Sequence, residues 1–147
     1  MKNLLFLFII IIYSSCTKLP DESLNQLDLE KKISTESAEK VKLIEFKKEN
    51  ALKKNFLGIE YYEVFYSGKL KYLTNGYVKK PFYSEANFLN VYKENPKQPF
   101  CQCNGYKVIK DSEFVINGKM IYMNTENGWQ TNNKDITFKI FSNKKDK

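Results

Sequence analysis

The sequence predicts an α+β fold: a short N-terminal helix packed on a curved antiparallel sheet of four to five strands. Three observations carry this expectation. Leu24, Leu27, Leu29 and Ile33 form a helical stripe ahead of any strand pattern. Period-two alternation then runs along Tyr62, Val64, Tyr66, Gly68, Leu70 and Tyr72, and it returns at Phe114, Ile116, Gly118, Met120, Tyr122 and at Ile136, Phe138, Ile140. Gly68 and Gly118 stand in the middle of two of these stretches, where a strand bends or bulges. With 147 residues the chain suits one domain and buries a core without disulfide staples.

The first segment reads as an address. Lys2 gives a positive start, and Leu4 to Ile12 is an unbroken apolar run. That run is about half of the ~20 residues a membrane-spanning helix needs, and it fits the apolar region of a secretory signal. Small residues Ser14 and Ser15 follow, and then Cys16. A Cys placed there resembles the lipobox of bacterial lipoproteins, although Tyr13 stands where that pattern carries Leu. The resemblance implies that the Cys16 thiol takes a diacylglyceryl group, that signal peptidase II cuts between Ser15 and Cys16, and that the new amine is acylated. An ordinary cleaved signal and an uncleaved anchor are the other readings of the same residues. Two or three acyl chains hold a protein on a membrane where one does so only marginally. Thr17 follows Cys16 in place of the Asp that marks inner-membrane retention in some lipoproteins, which leans towards the outer membrane. The expected partner is therefore the membrane, and the domain faces the periplasm or the cell surface.

The organisation predicted is a signal peptide over 1–15, an anchor and tether with a helix over 16–34, one α+β domain over 35–143 and a disordered tail over 144–147. Asp21 and Glu22 suit the positive end of a helix over 21–33, with a flexible linker as the alternative. Residues 41–47 mix β-branched and aromatic side chains, as a strand does. Residues 47–55 read as a charged loop. Gly58 opens the long strand, with Glu63, Ser67, Lys69 and Lys71 on its polar face and Tyr61 opposite the aromatic stripe. Asn75-Gly76 signals a turn. Residues 79–105, with Pro81, Pro96 and Pro99, read as loop around a short helix over 84–93. Thr125-Glu126-Asn127-Gly128-Trp129 is a tight turn into the last strand.

Residues 44–77 and 106–130 together resemble a group of small bacterial proteins, many of them lipoproteins. In that group a strand ending in Phe-Lys-Lys precedes a Gly-containing loop and a Tyr-rich strand, and a later strand with a central Gly closes in Thr-Glu-x-Gly-Trp. The closing Thr125–Trp129 stretch also resembles cystatin-like folds of the NTF2 type. That resemblance implies a helix packed into a curved sheet whose concave face forms a pocket.

Composition excludes several chemistries. The chain has no His, and every basic residue is Lys. A Ser-His-Asp triad, a Cys-His dyad, an HExxH zinc site and an arginine finger are all excluded. The formal charge of +7 drops to +6 once Lys2 is removed with the signal. Some attraction to anionic headgroups follows from that charge, while export removes the chain from nucleic acid. Cys101 and Cys103 form the one thiol pair outside Cys16. They read as a structural disulfide or loop pin, as an exchangeable strained disulfide, or as two ligands of a soft metal. Tyr62, Tyr66 and Trp129 read as core anchors or as aromatics that contact a ligand. Glu60 and Glu63 carry no sign of the facing pair that glycoside hydrolysis needs. No catalytic residue, metal ligand set or cofactor is assigned. The function expected is a lipid-anchored envelope protein with a non-enzymatic binding or structural domain. The alternatives are an NTF2-like pocket, for a small-molecule ligand or for catalysis, and a thiol or metal module at Cys101 and Cys103.

Overall fold

The computed structural model describes residues 18–79, 84–93 and 105–141. Helix α1 spans Glu22–Ser37. Asp21 starts it, its carboxylate accepting the Leu24 amide at 3.0 Å. Ala38 and Glu39 take left-handed conformations that end it, and the Ala38 and Glu39 amides return to the Thr35 and Ser34 carbonyls. Among the described residues no helix is long and apolar enough to cross a membrane.

The buried row of α1 differs from the stripe of leucines. It is Asn25, Leu29, Lys32, Ile33 and Ser37, while Leu24 and Leu27 remain exposed. Each buried polar member has a partner elsewhere. Lys32 reaches Glu36, Glu85 and the Asn133 carbonyl, and Ser37 Oγ accepts the Val41 amide. These bonds let a helix with a partly polar inner face dock on an apolar sheet.

Strands β1 (Val41–Phe56), β2 (Ile59–Tyr72) and β5 (Glu113–Thr125) lie side by side. The far edge of β5 is shared by β6 (Gly128–Gln130) and β7 (Ile136–Phe141), which completes a five-stranded sheet with every pairing antiparallel. A second, two-stranded sheet pairs β3 (Gly76–Lys79) with β4 (Gly105–Val108). The fold is thus α+β, with one helix packed against an antiparallel sheet of five strands.

Two expectations are corrected. Residues 47–55 are not a loop: β1 continues through them to Phe56, paired with β2 along its length. The ladder has register shifts between Leu43 and Glu45 and between Lys48 and Asn50. Each shift inserts a residue, so the helix-facing row runs Val41, Leu43, Phe46, Lys48, Ala51, Lys53. A strict two-residue period loses this row at its first bulge. The bulges lie in β1 and not at Gly68. That glycine instead lets the bulged backbone approach, since a β-carbon there would meet the Glu45 carbonyl at 2.9 Å.

The second correction concerns the segment read as loop and short helix. Asn75 precedes a strand, with Gly76 as its first residue, and β4 begins at Gly105. Helix α2 is shorter than expected, spanning Glu85–Leu89, and Tyr92 bridges back to Tyr77. The final strand holds the expected alternation, with Ile136, Phe138 and Ile140 buried.

One core joins these elements. Leu29 and Ile33 of α1 meet Val64, Tyr66, Leu70 and Tyr72 of β2 and Ile116 and Met120 of β5. Each fully buried aliphatic side chain contributes about 1.5–3 kcal/mol. Phe88 of α2 closes one end, its ring 5.0 Å from Tyr72 and 5.2 Å from Phe114. The Tyr72 hydroxyl donates to the Phe88 carbonyl at 3.0 Å, so burial leaves it satisfied.

Candidate functional site

The helix-facing side of the sheet is divided by α1. The helix runs antiparallel to β1: Ser37 meets Val41 at one end and Glu22 accepts the Lys48 amide at the other. Beyond Lys48, β1 and β2 continue without the helix above them. The row there is Lys48, Lys53, Tyr62 and Glu60, with Asn124 and Trp129 from β5 and β6.

Tyr62 and Trp129 form the centre of this end, with ring centroids 6.0 Å apart. Register explains the meeting. Tyr62 pairs with Tyr122, and Asn124, two residues further on, pairs with Trp129. The tight turn at Glu126-Asn127 folds Trp129 back over the strand, with Gly128 at φ +91° and the Thr125 hydroxyl donating to the Gly128 carbonyl. Lys48 donates to the Tyr62 hydroxyl at 2.9 Å and stands over its ring. Lys53 sits 5.9 Å from the Trp129 ring and 2.7 Å from Glu60. Glu60 also accepts from Asn124 at 2.9 Å. These two bonds, that to Lys53 foremost, hold the Glu60 carboxyl below its ordinary range.

Tyr122 neighbours Tyr62 on the same face of the sheet. Its hydroxyl donates to Asp28 at 2.8 Å and accepts from Asn25 at 3.1 Å. Burial, with the Asp28 charge beside it, raises the Tyr122 phenol well above its ordinary range. Among the described residues three buried polar atoms have no hydrogen-bond partner: Asn25 Oδ1, Trp129 Nε1 and Thr131 Oγ1. Register brings Trp129 to the side of the sheet that Tyr122 faces. The Asn25 acceptor and the Trp129 donor are left over at the open end of the helix, and the Thr131 hydroxyl just past β6. Each such atom costs about 1–3 kcal/mol unless something satisfies it. The half-buried Trp129 ring, with Lys53 and Glu60 beside it, offers an aromatic face flanked by charge of both signs.

The sequence-predicted residues divide accordingly. Tyr62 and Trp129 come together. Tyr66 does not join them: it is buried, stacks 5.6 Å from Phe46 and donates to the Thr137 carbonyl at 3.1 Å. Glu60 and Glu63 point to opposite faces of β2 and do not form a pair. Glu63 is buried between Lys54 and Lys119 on the outer face. Cys16, Cys101 and Cys103 lie outside the described residues. Among the described residues no cluster of three or more His, Cys, Asp or Glu side chains is placed to hold a metal.

Sequence reasoning missed Asn25, Asp28, Lys48, Lys53, Tyr122 and Thr131. The signal for Asn25 was present, because Asn25, Leu29 and Ile33 are spaced four apart and share one helix face. The bulges of β1 hid the lysines. Comparison with family models, with curated proteins and with solved structures found no match for the chain.

Proposed function

We propose that the chain is a lipid-anchored bacterial cell-envelope protein whose small α+β domain acts by binding and carries no catalysis of its own. The observation that carries this reading is the succession at the N-terminus. An apolar run of signal length ends in Ser14-Ser15-Cys16, and the first helix is capped at Asp21, five residues past the Cys. A lipid on Cys16 would hold the start of α1 within a tether's reach of the bilayer, at most ~21 Å. The open end of α1, with Tyr62, Trp129 and the unpartnered Asn25 oxygen, is the binding surface in this reading.

The unpartnered atoms favour a second, finer reading, in which the helix laid on the sheet is an NTF2- or cystatin-like frame and its open end is the mouth of a ligand pocket. Both readings place recognition at the same residues, and they differ in whether a small molecule or an envelope component is bound.

The anchor is tested by growing cells with an alkyne-tagged fatty acid. The wild-type chain is expected to be labelled and to sediment with membranes. The Cys16→Ser variant is expected to be unlabelled and to keep residues 1–15. An unlabelled wild-type chain, or label retained by Cys16→Ser, contradicts the reading.

A further inference from the structure

We propose that the tip of the β1–β2 hairpin, Phe56-Leu57-Gly58-Ile59, is a second membrane contact that dips into the bilayer interface beside the lipid anchor. The inference rests on the anchored reading above. Its first support is the tip itself. Leu57 is 87% exposed, Phe56 66% and Ile59 47%, so none of the three contributes much to the core. Leu57 has φ +52° and Gly58 φ +83°, the pattern of a two-residue hairpin turn that Asn-Gly fills without strain. A leucine in the left-handed region is strained, and here the strain presents a large apolar side chain to solvent. Folding alone gives no reason for Leu at this position. The turn is otherwise well made, with Asn55 Oδ1 accepting the Gly58 amide at 3.2 Å.

The second support is where the chain enters. Because Glu22 lies beside Lys48, the tether joins the domain on the side towards which the hairpin extends. Leu57 is nine residues beyond Lys48, a reach of ~30 Å along a strand. Cys16 is six residues before Glu22 and, fully extended, reaches at most ~21 Å. A bilayer holding Cys16 on that side lies closer to the helix end than the hairpin tip does. The tip therefore meets the interface unless the domain tilts away.

A bilayer fits this surface better than a second copy of the chain. Three partly exposed side chains present less than the ~800 Å² each partner gives to a stable protein interface. β1 is an edge strand that carries Lys53 and Lys54 next to the tip and Lys42, Lys47 and Lys48 further along, which discourages strand-to-strand pairing. Lys53 and Lys54 are paired with Glu60 and Glu63, so the contact is apolar in character and should be nearly independent of salt.

The test uses the full chain, processed in a bacterial host and reconstituted in phosphatidylethanolamine–phosphatidylglycerol vesicles, with Leu57→Trp in a Trp129→Phe background so that one indole reports. A blue-shifted emission that acyl-brominated lipid quenches is expected, unchanged in high salt. Adding Phe56→Ser and Ile59→Ser should abolish both signals while flotation with the vesicles persists through the anchor. A protein that floats with the vesicles while its indole stays water-exposed overturns the inference and leaves the anchor standing. A protein without lipid by intact mass whose indole is nevertheless quenched by brominated lipid sinks the anchor and keeps the tip contact. Loss of both flotation and emission shift sinks both. A blue shift that grows with protein concentration in the absence of vesicles assigns the tip to a second copy and overturns the proposal. Leu57→Asn supplies a variant whose folding is not in question, and it is expected to lose protease protection of the hairpin on vesicles.

Discussion

Tyr66 lies across the ladder from Gly118, and its ring fills the space that a side chain at 118 would need. A β-carbon at 118 would come within 2.5 Å of the Tyr66 hydroxyl and 2.2 Å of the Thr137 carbonyl that this hydroxyl bonds. The mid-strand glycine and the buried tyrosine are thus one feature. Gly118→Ala should destabilise by about 3 kcal/mol, the upper range for overpacking. Tyr66→Phe, which loses one buried hydrogen bond, should cost about 1 kcal/mol. Urea denaturation of both variants checks the order; a Gly118→Ala protein as stable as wild type would remove the packing argument.

Leu57→Asn should stabilise the fold. The left-handed position costs a leucine roughly 1–2 kcal/mol and costs Asn less, while Leu57 loses little packing because it is mostly exposed. A melting temperature raised by several degrees is expected. A lower one would mean that Leu57 packs in the folded state and is not kept for a surface role.

Trp129→Phe separates a packing residue from a recognition residue. The indole nitrogen is buried without a partner, so its removal relieves a cost of about 1–3 kcal/mol that offsets the lost ring area. Thermal stability is expected to change little, because the two effects oppose each other. A loss comparable to removing a core aromatic, about 3 kcal/mol or more, would make Trp129 a core anchor only.

Alkaline pH should unfold the protein through its buried phenols. Burial raises Tyr66, Tyr72 and Tyr122 well above the ordinary value of 10.0, with the Glu85 charge adding at Tyr66. Since the folded state holds these protons more tightly than the unfolded state, their contribution is complete below pH 10.0 and declines as pH rises past it. In a phenolate absorbance titration, Tyr66, Tyr72 and Tyr122 should ionise only together with the unfolding transition. Ionisation of these three ahead of any loss of circular dichroism would contradict this.

At the acid end Glu63 carries the corresponding effect with opposite sign. Its hydrogen bond from Lys54, then that from Lys119, lowers its carboxyl below the ordinary 4.5. The stability it lends is present above pH 4.5 and is lost as pH falls through the lowered value. Glu63→Gln should therefore be less stable than wild type at neutral pH and converge with it in acid. A constant difference across the acid limb would show that the ion pairs are not the cause.

The strands of clean alternation were legible in the sequence because one face of each is buried. Tyr62, Val64, Tyr66, Leu70 and Tyr72 lie in the core as their spacing implies. The second half of β1 was not legible, since two inserted residues shift its facing row and leave Lys48 and Lys53 in positions that a fixed period assigns elsewhere. The short β3–β4 pair escaped as well, because strands of four residues carry too little pattern to separate from loop. Half of the candidate site, Tyr62 and Trp129, stood out as aromatics. The other half is polar and depends on α1, whose Asn25 reads as a surface residue until Tyr122 is seen beneath it.

Lipidation at Cys16 is read out by the intact mass of the mature protein purified in detergent. The mass of residues 16–147 plus two or three acyl chains is expected. A lipid-free mass, or one that retains residues 1–15, would contradict it and move the Tyr62–Trp129 surface to a soluble ligand-binding domain.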